Sequence, residues 1–219
     1  MRWIVGRSTP ALTRFVIAVC LGALIVSLWI SNRNANQRAN EDEMAGLQRN
    51  LDEFYGPYLQ VSNTNALLAS DLKAGKPANF RILLLMLEDS WPTQISGPEK
   101  ALVDEIIRND AALDALIRKQ AGLVDDKLQP YLWRASAHFR MIQLIHRGKL
   151  SGAKAEADWF DSYVYPKALD DVLKLEVQRL QERIATLRDK PLSGHPPLQS
   201  LQIPSVLSRE SRPARIGTP

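Results

Sequence analysis

Three histidines, two pairs of adjacent acids and one cysteine are the side chains of this sequence best suited to proton transfer, metal binding or nucleophilic attack. His138 and His146 stand eight residues apart in a stretch of helical periodicity, about 12 Å along a helix axis. Two ligands of one zinc on a single helix sit four apart. The spacing therefore points to structural or surface roles, and no metal is expected. Asp125-Asp126 and Asp170-Asp171 are sequence neighbours. Neighbours on a helix face different sides, so these read as helix-end or surface charges rather than a paired acid and base. Cys20 lies within an apolar run, whereas a thiolate nucleophile needs an electropositive, partly exposed setting. As the sole cysteine it can form no intramolecular disulfide. The sequence contains no Gly-rich phosphate loop, no G-x-S-x-G elbow and no H-E-x-x-H pair. These observations predict no catalytic residue, no cofactor and no enzymatic activity.

The stretch DEFYGPY, residues 52–58, is a different kind of candidate. Phe54, Tyr55, Gly56 and Pro57 admit two readings: an aromatic pocket for a ligand or partner, or a packing corner. The corner is favoured because buried aromatics ordinarily pack. Proline lacks an amide donor and breaks a helix interior or starts a new helix. The expectation is a kink or stop near Tyr55 and a fresh helix from Pro57.

The elements that would position these residues begin with Phe15–Asn32, eighteen residues without a charge. At helical rise they span about 27 Å, close to the hydrocarbon thickness of a bilayer. A cleaved signal peptide is the rival reading, but no A-x-A pattern follows, and Val19 rather than a small residue precedes Cys20. Retention as an anchor is expected, with Trp29 at one interface. Three arginines precede the run and two follow it, which leaves sidedness nearly balanced, slightly toward an inside N-terminus. Ala18 and Gly22 form a small-xxx-small pair, common in spans without consequence.

Beyond the run, Met44, Leu47, Leu51 and Phe54 form a short coiled-coil-like seam. A helix over 57–72 follows. Phe80–Trp91, apolar almost all round, reads as the most buried helix of a bundle. Further helices are expected from Pro98 to about Gly122, from Lys127 to Arg147, and after Pro166 to about Asp189. No stretch alternates as a strand does. The predicted fold is all-α: a short N-terminal segment over 1–10, a transmembrane helix over 11–32, a juxtamembrane helix over 33–54, an antiparallel helical bundle over 55–189, and a disordered proline-rich tail over 190–219.

The net charge of +4 belongs to the ends: residues 1–40 carry +5, residues 190–219 carry +3, and the middle is −4. Phosphate binding needs a clustered basic patch, so a nucleic-acid partner is not expected.

LDEFYGPYLQVSN, EKALVDEIIRNDAALDALIRKQAGLVDD, AHFRMIQLIHRGKL and YVYPKALDDVL, in that order, carry a resemblance over roughly residues 47–185. The chain resembles a widespread group of uncharacterised bacterial membrane-anchored helical proteins with an F-Y-G-P motif after the transmembrane span. The resemblance implies a membrane-tethered helical domain, places His138 in a recurrent A-H segment, and shifts the expected side of the domain to the cytoplasm. It supplies no catalytic or binding residues. The expected function is a tethered interaction or scaffold module in the bacterial inner membrane, whose partners are the lipid bilayer and either a second copy or another membrane protein. The alternative is a membrane-anchored sensor that binds a small ligand between helices.

Overall fold

The structure, a computed structural model, describes residues 10–77, 80–88, 90–150 and 163–208. The expected segment 1–10 therefore lies, apart from Pro10, outside the described residues, as do the aromatics Trp159 and Phe160 and the tail beyond 208. Every regular element among the described residues is helical, as predicted. They are α1 (Pro10–Asn50), a π-helical turn (Leu51–Tyr55), α2 (Gly56–Lys73), α3 (Ile82–Met86), α4 (Gly97–Gln120), α5 (Gln129–His146), α6 (Ala168–Asp189) and the short α7 (Ser205–Ser208), with 3-10 turns between some of them. They fall into two compact units, Met1–Gly46 with Arg183–Pro197, and Leu47–Glu182 with Leu198–Pro219.

In the first unit, the apolar part of α1 is exposed along its whole length, from Phe15 to Ile30. It is long and apolar enough to cross a membrane. The Arg33 guanidinium lies 4.5 Å from the Trp29 ring centroid, a cation–π contact at the end of the apolar run. The polar continuation of α1 is covered by the end of α6. Arg183 Nε and Nη2 donate to the two carboxylate oxygens of Glu43 at 2.7 and 2.9 Å, a bidentate pair. Asn40, buried, donates from Nδ2 to the carbonyls of Pro191 at 2.7 Å and Ser193 at 2.9 Å. Residues 190–197 are thus bonded to α1, and the expectation of a disordered tail does not hold for them. Proline removes donors but not acceptors, and here the carbonyls take the bonds.

In the second unit, DEFYGPY produces neither a stop nor a fresh start. The helix runs on through it as a π turn, and a single helix continues to Lys73. This corrects the expected break, and the physical cause is local. A proline inside an α-helix clashes with the carbonyl four residues back and cannot donate to it. Widening one turn to i→i−5 bonding relieves that conflict. The Gly56 amide accordingly donates to the Leu51 carbonyl. A Cβ at Gly56 would stand 3.0 Å from that oxygen, so the close approach favours glycine. The wider turn also lets Phe54 and Tyr55, consecutive in sequence, both be fully buried.

Helix α2 packs against α4, and α4 against α5. Helix α4 starts with a capping box: Ser96 Oγ accepts from the Glu99 amide while the Glu99 carboxylate accepts from the Ser96 amide. Gly75 and Gly148, both at positive φ, follow the ends of α2 and α5, where the chain turns left-handed. Between α2 and α4 the expected long buried helix over Phe80–Trp91 is only the five residues of α3 and a 3-10 turn at Trp91–Thr93. Its apolar residues are nonetheless in the core: Leu83, Met86, Leu87 and Trp91 pack with Leu72, Val103, Ile106 and Ile142. Burial rather than helical bonding is what that apolar run encodes. In this unit too the tail expectation does not hold for the described residues, 198–208. Leu201 is 2% exposed, Lys127 Nζ donates to its carbonyl at 2.6 Å, and the Tyr131 hydroxyl donates to the Leu207 carbonyl at 3.0 Å.

Candidate functional site

Three polar groupings in the helical unit, and a smaller cluster beside the first, bring together residues that the sequence keeps far apart. The first lies between α2 and the start of α6. Ser62 Oγ and the Tyr165 hydroxyl each donate to the same Asp170 oxygen at 2.8 Å. The Tyr58 hydroxyl is 3.5 Å from that of Tyr165. Burial pushes both phenols up from their ordinary value, reinforced at Tyr58 by Tyr165 and at Tyr165 by the Asp170 charge. Both stay protonated donors. His138 is beside this group, its ring centroid 5.8 Å from that of Tyr165. Its Nδ1 lies 2.6 Å from the Tyr163 carbonyl, so Nδ1 carries the proton there. Burial lowers its pKa and keeps the ring neutral, only partly opposed by that hydrogen bond. His138 meets the aromatic face of Tyr165, and Ser62 gives its proton to Asp170. A nucleophile, its base and an orienting group are not in series, and the arrangement joins helices.

One turn along α2, Asn65 Nδ2 donates to Asp110 Oδ1 at 2.8 Å, and Asn109 Nδ2 donates to Asn65 Oδ1 at 2.9 Å. Asp110 is 3% exposed and no cation pairs with it among the described residues. Burial raises its pKa to about 7, against the opposing bond from Asn65.

The second grouping surrounds Tyr55. Glu176, buried, takes a bidentate contact from Arg179 at 2.6 Å for each bond, and Arg179 reaches Asp125 at 3.2 Å. Arg179 also donates to the Gln199 carbonyl. The Tyr55 phenol is pushed up by burial first and by the Glu176 charge second. The acids of the Asp125-Asp126 pair thus separate, as neighbours should: Asp125 caps the turn at Lys127 and pairs with Arg179, while Asp126 is exposed.

The third is a surface groove of about 430 Å³ between the C-terminal half of α4 and α5, lined among others by Ile117, Arg118, Gln129, Trp133, Ser136 and Arg140. Asp114, 1% exposed, lies beneath it and accepts from Ser136 Oγ at 2.5 Å, Arg140 Nε at 2.7 Å and Arg118 Nη2 at 3.1 Å. One carboxylate serves two guanidinium groups, so the groove keeps a surplus positive charge. Trp133 is 66% exposed, while Phe54, Tyr55, Tyr58, Tyr131 and Phe139 of the same unit are buried.

Of the residues singled out from sequence, Phe54 and Tyr55 are core. The Phe54 ring is edge-on to Tyr55 at 5.2 Å and tilted against Tyr58 at 5.6 Å. Gly56 and Pro57 shape the π turn. His138 sits among Tyr163, Tyr165 and Phe139. His146 pairs with Asp104 at 3.0 Å, and His195 Nε2 lies 3.0 Å from the Lys190 carbonyl. Among the described residues no three His, Cys, Asp or Glu side chains form a metal-binding group. Trp133 and its arginines were not flagged by sequence. Arg118 and Arg140 lie on different helices, and only packing makes them neighbours. In comparisons with known proteins, no family model, curated protein or solved structure matches the chain.

Proposed function

We propose that the chain is a single-pass bacterial inner-membrane protein whose helical unit, turned to the cytoplasm, is a non-catalytic interaction module. The observation that carries the reading is Trp133. It is a large aromatic left in water on a bundle whose other described rings are buried or half-buried. Exposed tryptophan and arginine are the side chains that dominate binding energy at protein interfaces. The surplus guanidinium charge in the groove selects the partner's chemistry, an acidic side chain beside an apolar one on another membrane protein. The anchor supports this by confining the search to the bilayer plane. Most polar groups of the core bond one another and hold helices together.

The test is a photo-crosslinking residue at Trp133 in intact membranes, with the equally exposed Leu67, 70% accessible, as control position. The expected result is a discrete adduct from 133, absent from 67, and lost when Arg118→Glu reverses the groove charge. Monomer alone, or the same adducts from both positions, would overturn the reading. A reporter fused after Pro219 reads the side of the membrane.

A further inference from the structure

The polar foot of α1 and the end of α6 form a surface that the interaction reading leaves unused. Asn36 and Asn40 lie four and eight residues past Asn32, the last residue of the uncharged run. At helical rise they stand about 6 and 12 Å beyond the apolar stretch, the outer edge of a headgroup layer roughly 5–7 Å thick and a long side chain's reach past it. Both hold the segment after α6. Asn40 donates to the carbonyls of Pro191 and Ser193, and Asn36 to that of Leu192 at 3.5 Å. The Arg183–Glu43 pair fixes α6 against α1 a turn further out. His195 folds back on the Lys190 carbonyl, which closes the segment into a compact loop.

This anchoring gathers charge at one level. Residues 33–40 contribute Arg33 and Arg38 with no acid, and residues 188–197 contribute Arg188 and Lys190 against Asp189, with His195 beside them; the acids Glu41, Asp42 and Glu43 lie further from the apolar run, Glu43 paired with Arg183. Arg38, Arg188 and Lys190 are exposed, and Arg33 is braced on the Trp29 ring, an interfacial pairing. The loop has no apolar side chain beyond the half-buried Leu192 and its prolines to insert into hydrocarbon. It therefore suits the headgroup layer rather than the acyl layer. We propose that the Arg188–Pro197 loop, with Arg33 and Arg38, is a docking surface for the phosphate headgroups of anionic phospholipids in the bilayer that holds α1. Asn40 is the positioning residue, because it carries no charge and holds the loop where the Arg188 and Lys190 side chains can reach back to the headgroups. The inference rests on the membrane-anchor reading.

The experiment places the full chain in vesicles of phosphatidylcholine containing spin-labelled phosphatidylglycerol or spin-labelled phosphatidylcholine, and compares the fraction of each label immobilised by the protein. Flotation is measured first. A chain that does not float with the vesicles sinks the anchor reading itself. A floating chain is expected to prefer phosphatidylglycerol by on the order of two- to fivefold at low salt, falling toward unity at high salt. Arg188→Gln with Lys190→Gln should remove most of the preference. Asn40→Ala should lower it with every charge retained. Equal immobilisation of both labels overturns the headgroup surface while leaving the anchor intact. An undiminished preference in the double variant also overturns it, since the loop would then contribute nothing and the selectivity would belong to the arginines flanking the span in sequence.

Discussion

Replacing Asp110 with asparagine should stabilise the helical unit at alkaline pH and leave it unchanged in acid. Asp110 is buried between α4 and α2, with Asn65 and Asn109 as its polar neighbours and the Tyr58 phenol within its electrostatic reach. Among the described residues no ion pair compensates a charge there. Moving its pKa from the ordinary 3.8 to about 7 means that the folded chain holds the proton more tightly than the unfolded one. Stability from this group is therefore fully present below the unfolded value and is lost as pH rises through about 7. The span is roughly three pH units at about 1.4 kcal/mol each, so ionising Asp110 in place costs on the order of 4 kcal/mol. Asparagine keeps the oxygen that accepts from Asn65 and cannot ionise. Urea unfolding of the full chain in detergent, followed by circular dichroism at pH 3, 5, 7 and 8, gives the difference between the two proteins. It should open from near zero at pH 3, through about 1.5 kcal/mol at pH 5, to about 4 kcal/mol in favour of Asp110→Asn at pH 7, and level off above. Two parallel curves over that range would refute the reasoning, because Asp110 would then be titrating as an exposed carboxylate does.

Two further outcomes follow from the same geometry. Gly56→Ala gains about 1 kcal/mol of helix propensity but sets a Cβ 3.0 Å from the Leu51 carbonyl, an oxygen already engaged by the residue's own amide. The net change should be a loss of roughly 1 kcal/mol, read by thermal melting, and a clear gain in stability would show that the π turn relaxes freely. Asp114→Ala removes the acceptor of Ser136, Arg118 and Arg140. Both guanidinium groups are more than half exposed and water takes them up, so the cost should be about 1–3 kcal/mol, with the crosslink from position 133 weakened as the groove loses its frame.

Much of the helical architecture was legible because its signals are local. Pro98 behind Ser96 and ahead of Glu99 announces the start of α4, and the capping box is there. The stripe Leu169, Leu173, Leu180, Ile184 and Leu187 is buried along α6. The errors come where a local rule meets a competing one. Pro57 ends an α-helix by itself, but five residues of π geometry let the chain keep both the proline and an unbroken helix. Phe80–Trp91 has the apolar content of a core helix, yet core membership needs burial alone, and two short turns supply it. Pro191–Leu207 lacks periodicity, the ordinary mark of disorder. Its order comes from carbonyls accepting bonds from Asn40, Lys127 and Tyr131, distant donors with no local signature.

The same division governs the candidate sites. The aromatic motif drew attention because rare residues cluster there, and its rings proved to be core. Trp133, by contrast, sits in the sequence QPYLWRASAHF, between Leu132 and Arg134. Its exposure follows from angular position: Tyr131, Leu132, Ala135 and Phe139 take the inward face of α5, which leaves residue 133 pointing away. A helical wheel gives that direction once the buried stripe is known. It does not show that α4 brings Arg118 alongside, or that Asp114 can balance only one of the two guanidinium charges. That charge imbalance separates a groove able to choose an acidic partner from an exposed tryptophan without consequence, and it arises only when the two helices pack.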